Sequence, residues 1–212
     1  MSSFTIKWVH NLSVIGQQLI LSLARDKGIL RPRDLAQVGL APNNLNNMAA
    51  RGMLTRIGRG LYTLPDHEWS ENHSLAEVAK AVPSGVVCLL SALRFHNIGS
   101  QSPFEVWIAI PRDKGRIPIS RSVQIRTLKF SGLTYSEGIE QHLIESTEVR
   151  IYSIAKTVVD CWRFRNKIGK DVALEALREA LSKRKPILDE MRQYGESAKV
   201  WNVMRPYVEA MV

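Results

Sequence analysis

The chain has 212 residues, 45% of them hydrophobic and 23% charged, with 29 Lys/Arg against 20 Asp/Glu and a formal net charge of +9. That length accommodates two small domains with separate cores, and no apolar run approaches the ~18–20 residues a membrane-spanning helix needs. The positive charge is unevenly spread: residues 1–64 hold eight Lys/Arg and two Asp, the remaining 148 hold 21 basic and 18 acidic side chains, so capacity to neutralise phosphate is concentrated in the N-terminal third.

Residues 1–13 carry Phe4, Ile6, Trp8 and Val9 without a clear period, and read as an arm or a short first helix. They lack a basic start followed by an apolar core and a small-residue cleavage site, so a cytoplasmic protein is expected. VIGQQLILSLARDK (14–27) reads as the first firm helix, with Ile15, Leu19 and Leu23 four apart and Ile20 and Ala24 thickening the stripe.

Residues 28–64 predict a winged helix-turn-helix. Pro32 suits the first turn of a helix, where no amide hydrogen is needed, and RDLAQV then supplies Leu35, Ala36 and Val38 before Gly39 stops it. Pro42 opens a second helix in which Leu45, Met48 and Ala49 recur at i, i+3, i+4, followed by Gly52 at a left-handed end. MLTRI and LYTL, joined by Gly58-Arg59-Gly60, then form a hairpin with a basic tip. In such a unit the second helix enters the major groove. Its exposed face offers Asn43, Asn44, Asn46, Asn47 and Arg51, with Arg33 on the first helix and Arg56 and Arg59 on the wing. Asparagine can pair bidentately with adenine, and arginine with guanine or phosphate. The competing reading makes Asn43 and Asn44 helix caps and Arg59 an ordinary turn residue.

PDHEWSENH (65–73) reads as a polar linker, dividing the chain into a DNA-binding domain over 1–66 and a second domain over 67–212. A helix is predicted from Ser74 to Lys80, and VVCLLSALRFHNIG (86–99) reads as a buried helix. FEVWIAI (104–110), VQIRTLKF (123–130) and EVRIYS (148–153) alternate as strands, and LTYSEGIEQHLIE (133–145) as a further strand or short irregular pieces. SIAKTVVDCWRF, DVALEALREALSK, PILDEMRQYG and AKVWNVMRPYVEAMV are helical, the first apolar around more than half its circumference. The expected fold class is α+β: the winged helix, then a small, mainly antiparallel sheet with several helices. Cys88 and Cys161, both in apolar runs, fit buried reduced thiols rather than a disulfide framework or a zinc spacing.

The chain resembles the AbiEi-type antitoxins of type IV toxin–antitoxin, abortive-infection systems of phage defence. The residues that carry the likeness are RIGRGLYTLP (56–65), SLAEVAKAVPSGVVCLLSALRFHNI (74–98), FEVWIAIP (104–111) and VRIYSIAKTVVDCWRFRNKIGKDVALEALREAL (149–181). The resemblance implies a repressor that binds an inverted repeat in duplex DNA upstream of its own operon. It also implies an antitoxin domain that counteracts a co-encoded nucleotidyltransferase-like toxin without needing a stable complex. The eight residues above become the expected DNA contacts by their position on the helix and wing. The alternative is a winged-helix module that binds protein or RNA without operator specificity.

Enzyme chemistry finds no footing in the sequence. After Gly99-Ser100, the strand FEVWIAI carries one carboxylate, Glu105, where a nucleotidyltransferase needs an alternating acidic pair for Mg²⁺. The five histidines show no HExxH or i, i+4 pair, and neither a P-loop nor a G-x-S-x-G is present. No enzyme activity, metal or cofactor is expected, and His96 reads as a satisfied structural histidine. Two further basic groups stand out. Arg112, Lys114, Arg116 and Arg121 form a possible second basic surface, opposed only by Asp113. Arg163, Arg165, Lys167 and Lys170 cluster where cations would complement a helix C-terminus.

Overall fold

The computed structural model describes residues 3–66, 70–115, 117, 123–183 and 187–212, with the backbone alone over 3–13. Its first element, α1 (Ser3–Lys27), is one 25-residue helix. The expected arm and separate helix are therefore continuous: no proline interrupts them, and a single interior glycine, Gly16, costs a helix only about 1 kcal/mol. Two short helices follow, α2 (Pro32–Ala36) and α3 (Asn44–Ala50). Neither is long enough to persist alone in water. Each is held by burial of its apolar side chains, Leu35 from α2 and Leu45 and Met48 from α3, against Ile20 and Ala24 of α1. Full burial of such side chains is worth roughly 1.5–3 kcal/mol each. Gly52 ends this stretch in the left-handed conformation, φ +73°.

Strands β1 (Thr55–Gly58) and β2 (Leu61–Thr63) then pair antiparallel, with Thr55 opposite Thr63 and Gly58 opposite Leu61. Arg59 and Gly60 make the tip, Gly60 supplying the positive φ (+71°) the tight turn needs. Leu30, between α1 and α2, exchanges both backbone hydrogen bonds with Tyr62 at 2.7 and 3.0 Å, so the hairpin is braced along its second strand.

The rest of the chain is built on a five-stranded sheet of order β5-β4-β3-β7-β6. Its strands are β3 (Val86–Val87), β4 (Val106–Pro111), β5 (Ile125–Phe130), β6 (Ile139–Ile144) and β7 (Thr147–Tyr152). It is mixed rather than mainly antiparallel: β4–β5 and β3–β7 run parallel, β3–β4 and β6–β7 antiparallel. The central strand, β3, lies inside the segment expected to be helical throughout. Its Val86-Val87 pair follows the Pro83-Ser84-Gly85 break, and the helix α5 begins only at Leu89 and runs to Phe95. Two β-branched residues suffice for a strand when neighbours supply both ladders.

Along β4 the alternation holds but both faces are covered. Val106, Ile108 and Ile110 pack with helix α4 (His73–Ala81), while Trp107 and Ala109 pack with the C-terminal helices. Those helices are α7 (Ile154–Arg163), α8 (Arg165–Ile168), α9 (Lys170–Lys183), α10 (Ile187–Ser197) and α11 (Trp201–Glu209). The uncertain stretch 133–145 resolves into a short helix α6 (Leu133–Ser136) followed by β6.

Three apolar clusters result. One belongs to the N-terminal helices and hairpin, and one to the sheet and C-terminal helices. The third joins Ile29 and Leu61 to Leu75, Val78 and Val82 and to the sheet, across the polar linker. Polar contacts reinforce that seam: Lys80 Nζ donates to Ile29 O (2.8 Å) and Arg31 Nη1 to Lys80 O (3.1 Å). The N-terminal helices and the sheet thus meet at a seam with its own apolar cluster.

Candidate nucleic-acid interface

Helix α3 presents its polar residues in two rows. Asn43 and Asn46 lie on the hairpin side: Tyr62 donates its hydroxyl to Asn46 Oδ1 at 2.5 Å, and Asn46 Nδ2 reaches Asn43 Oδ1 at 3.4 Å. The second lone pair of Asn46 Oδ1 and the second hydrogen of Nδ2 stay available, which is what a bidentate contact needs. Asn44, Asn47 and Arg51 lie on the other side, lining a groove of about 280 Å³ against Gly16 and Gln17 of α1. Asn43, Asn46, Asn47 and Arg51 are exposed and Asn44 is half-buried, while Leu45 and Met48 face inward. No side-chain cap hydrogen bond is made by Asn43 at the α3 N-terminus, so capping does not use up that side chain.

Arg59 is exposed at the hairpin tip. Arg56, three residues back on β1, is also exposed, and its Nε donates to Gly58 O at 3.2 Å, bracing the bulge between Arg56 and Gly58. Arg33 is exposed on α2, beside the buried Asp34. Burial alone would push the Asp34 carboxyl up. The Arg31 N–H bond and the charges of Lys80, Arg31 and Lys27 outweigh it, and hold the group below the usual range. Lys80 is also lowered, but here burial dominates: with repulsion from Arg31, Lys27 and Arg33 it brings the ammonium down to about 8 despite Asp34.

The second basic surface is only partly in view. Arg112 and Lys114 are exposed in the turn after β4, and Lys129 of β5 donates to Arg112 O at 3.3 Å. Arg116 and Arg121 lie outside the described residues. Among the second cluster, Arg163 closes α7 and Arg165 Nη1 caps Trp162 O at 2.9 Å, a helix-terminal role.

The residues tested for chemistry are engaged elsewhere. Glu105 Oε1 pairs with Arg126 Nε at 2.5 Å. His96 and His142 approach to 6.3 Å between ring centroids, but His96 Nε2 bonds Tyr152 O and His142 Nε2 bonds Glu140. Among the described residues no group of three or more His, Cys, Asp or Glu could hold a metal ion. Both cysteines are free and buried, and burial raises both thiols above their ordinary range.

Sequence reasoning missed three features. The sequence places Tyr62 on a strand and no more, although a buried tyrosine requires a partner for its hydroxyl. Lys156 and Asp160 pair at 2.5 Å in the middle of α7, both fully buried, with Lys156 Nζ over the Tyr152 ring at 4.6 Å. Their i, i+4 spacing in an otherwise apolar helix was the available signal. The C-terminal end of the linker is also docked: Ser70 N and His73 Nδ1 both bind Glu145, at 2.8 and 2.6 Å, on the β6–β7 turn.

Three helices and a basic-tipped hairpin, packed on a helix-covered mixed sheet, define an α+β protein with a cationic, polar N-terminal face. Residues 17–65 match the family model AbiEi_4, described as transcriptional regulator, AbiEi antitoxin. The match runs from inside α1 through the hairpin. The crystal structure of the RV2827C protein from Mycobacterium tuberculosis is similar in fold, with a TM-score of 0.58 over 91% of this chain and 75% of that one, at 13% identity. No curated protein matches the sequence significantly. Among the described residues no helix is long and apolar enough to cross a membrane.

Proposed function

We propose that the protein is a cytoplasmic, DNA-binding autorepressor and antitoxin of the AbiEi type, acting without catalysis or cofactor. Residues 1–66 form a winged helix-turn-helix, with α3 as the recognition helix and β1–β2 as the wing. Residues 67–212 form the domain that counteracts a nucleotidyltransferase-like toxin without a stable complex. The observation that carries the DNA reading is the joint exposure of Asn43, Asn46 and Asn47 on α3 and Arg59 at the hairpin tip, within the segment that matches a regulator family. In the bound state α3 reads base edges of an inverted repeat upstream of the operon, while Arg33, Arg51, Arg56 and Arg59 meet phosphate or the minor groove.

The test is a mobility shift with upstream duplex against scrambled duplex, across a salt series. Arg59→Ala should weaken binding to both duplexes and lower the salt slope by about one. Asn47→Ala should relax preference at one or two positions, with discrimination falling by about 1–3 kcal/mol. Equal binding of the two duplexes by the unaltered protein would remove the operator claim and favour a protein- or RNA-binding module.

A further inference from the structure

A cleft of about 230 Å³ opens where α2 and α4 meet the β6–β7 hairpin. Four cations line it, Arg31 and Arg33 beside α2, Lys80 from α4 and Arg150 from β7, against one carboxylate, Glu148. The charges are only partly answered from within. Asp34, behind the cleft, is shared by Lys27 at 3.3 Å and Arg31 at 3.7 Å, and it also feels Lys80. Arg31 Nε is buried without a hydrogen-bond partner. Arg33 is exposed at the rim, and Thr147 adds a hydroxyl to the wall. Lys80 Nζ, Arg31 Nη1 and Arg150 Nη1 donate to Ile29 O, Lys80 O and Tyr135 Oη, neutral oxygens that leave the charges uncompensated; positive charge therefore exceeds negative in a confined, partly desolvated space, where a like-charge cluster is costly until an anion enters it. Burial lowers the Lys80 ammonium; Asp34 opposes that shift, and Arg31, Lys27 and Arg33 add to it.

We propose that this cleft binds a small phosphorylated molecule through a phosphate or diphosphate group. Its volume lies below the ~300–1,000 Å³ of pockets that enclose drug-sized ligands, so the anionic group is gripped and the remainder of the ligand extends outward. Arginines suit this role because the guanidinium fork meets two phosphate oxygens at once. The walls come from both sides of the polar linker, so an occupant bridges the N-terminal helices to the sheet.

Isothermal titration of inorganic pyrophosphate into the full chain, at constant ionic strength, tests this. One site is expected, with affinity about tenfold weaker in Arg150→Gln and in Arg33→Gln, and unchanged in Arg192→Gln, whose side chain lies on α10 paired with Glu196. Glu148→Gln, which removes the opposing carboxylate from an exposed position, should bind more tightly. This variant keeps the test decisive if an arginine variant fails to fold. Absence of a site would overturn the proposal, as would cleft variants that bind like the parent. Displacement of pyrophosphate by duplex DNA in Arg33→Gln, which lacks the rim arginine shared with the proposed DNA face, would also overturn it, assigning the cleft to backbone phosphate instead.

Discussion

Replacing Tyr62 with phenylalanine deletes one oxygen from the scaffold behind α3, and its effect on stability and on recognition can be worked separately. The ring is 2% exposed and stays buried in the variant, so the packing contribution is retained. The lost interaction is the 2.5 Å hydrogen bond to Asn46 Oδ1. A neutral hydrogen bond is worth ~0.5–1.5 kcal/mol, and Asn46 is exposed, so water replaces the lost donor and the stability cost falls at the lower end. Recognition is affected through a different route. Asn46 is no longer held against the hairpin, and fixing a released side chain on binding costs about 0.5–1.5 kcal/mol, a roughly two- to tenfold loss of affinity for the upstream duplex. Scrambled duplex, held by phosphate contacts, should bind as before. Fluorescence anisotropy on both duplexes at one salt concentration, with a thermal melt of each protein, measures all three quantities. Unchanged affinity for the upstream duplex, or an equal loss on both duplexes, would refute the idea that Tyr62 pre-positions a base-reading side chain.

Lys156→Met should destabilise the fold by about 3–5 kcal/mol, because it strands the Asp160 carboxylate in the core. Lys156→Met/Asp160→Leu should recover most of that loss in the same urea titration. Glu145→Gln tests the docked linker. The bonds from His73 and Ser70 overcome burial and bring the Glu145 carboxyl down to about 2 from 4.5. Its contribution, on the order of 1 kcal/mol once solvent screening is allowed for, is therefore present above about pH 4.5 and lost as pH falls toward 2. Urea unfolding should show the parent more stable than the variant at pH 7, with the gap narrowing below pH 4; a gap independent of pH would contradict the assignment.

The N-terminal segment was legible because its signals are local. Pro32, Gly52 and the Gly58–Gly60 tip each constrain one or two residues, and the spacing of Leu45 and Met48 points one face of a short helix inward. The sheet was less legible. Strand β3 is two residues long, too short for any period, and its identity comes from neighbours distant in sequence. The same holds for parallel pairing: nothing inside VQIRTLKF states that it runs alongside FEVWIAI in the same direction. The site divided similarly. The polar face of α3 follows from its apolar face, whereas the split of its asparagines into two rows depends on where Tyr62 and α1 lie. The cationic cleft joins Arg31 and Arg33 to Lys80 and Arg150, residues that only the folded chain brings together.

Ile29 and Leu61 pack with α4 rather than among the N-terminal helices, and this limits how the protein can be cut or exchanged. A fragment severed in the polar linker would carry two bare apolar side chains, one of them on the inner strand of the hairpin, and would lose the Lys80–Ile29 and Arg31–Lys80 hydrogen bonds as well. Grafting that fragment onto another partner domain would require the new host to supply an equivalent of α4. The hairpin and the sheet are therefore joined through α4, so the hairpin cannot be moved intact without the surface that Ile29 and Leu61 pack on.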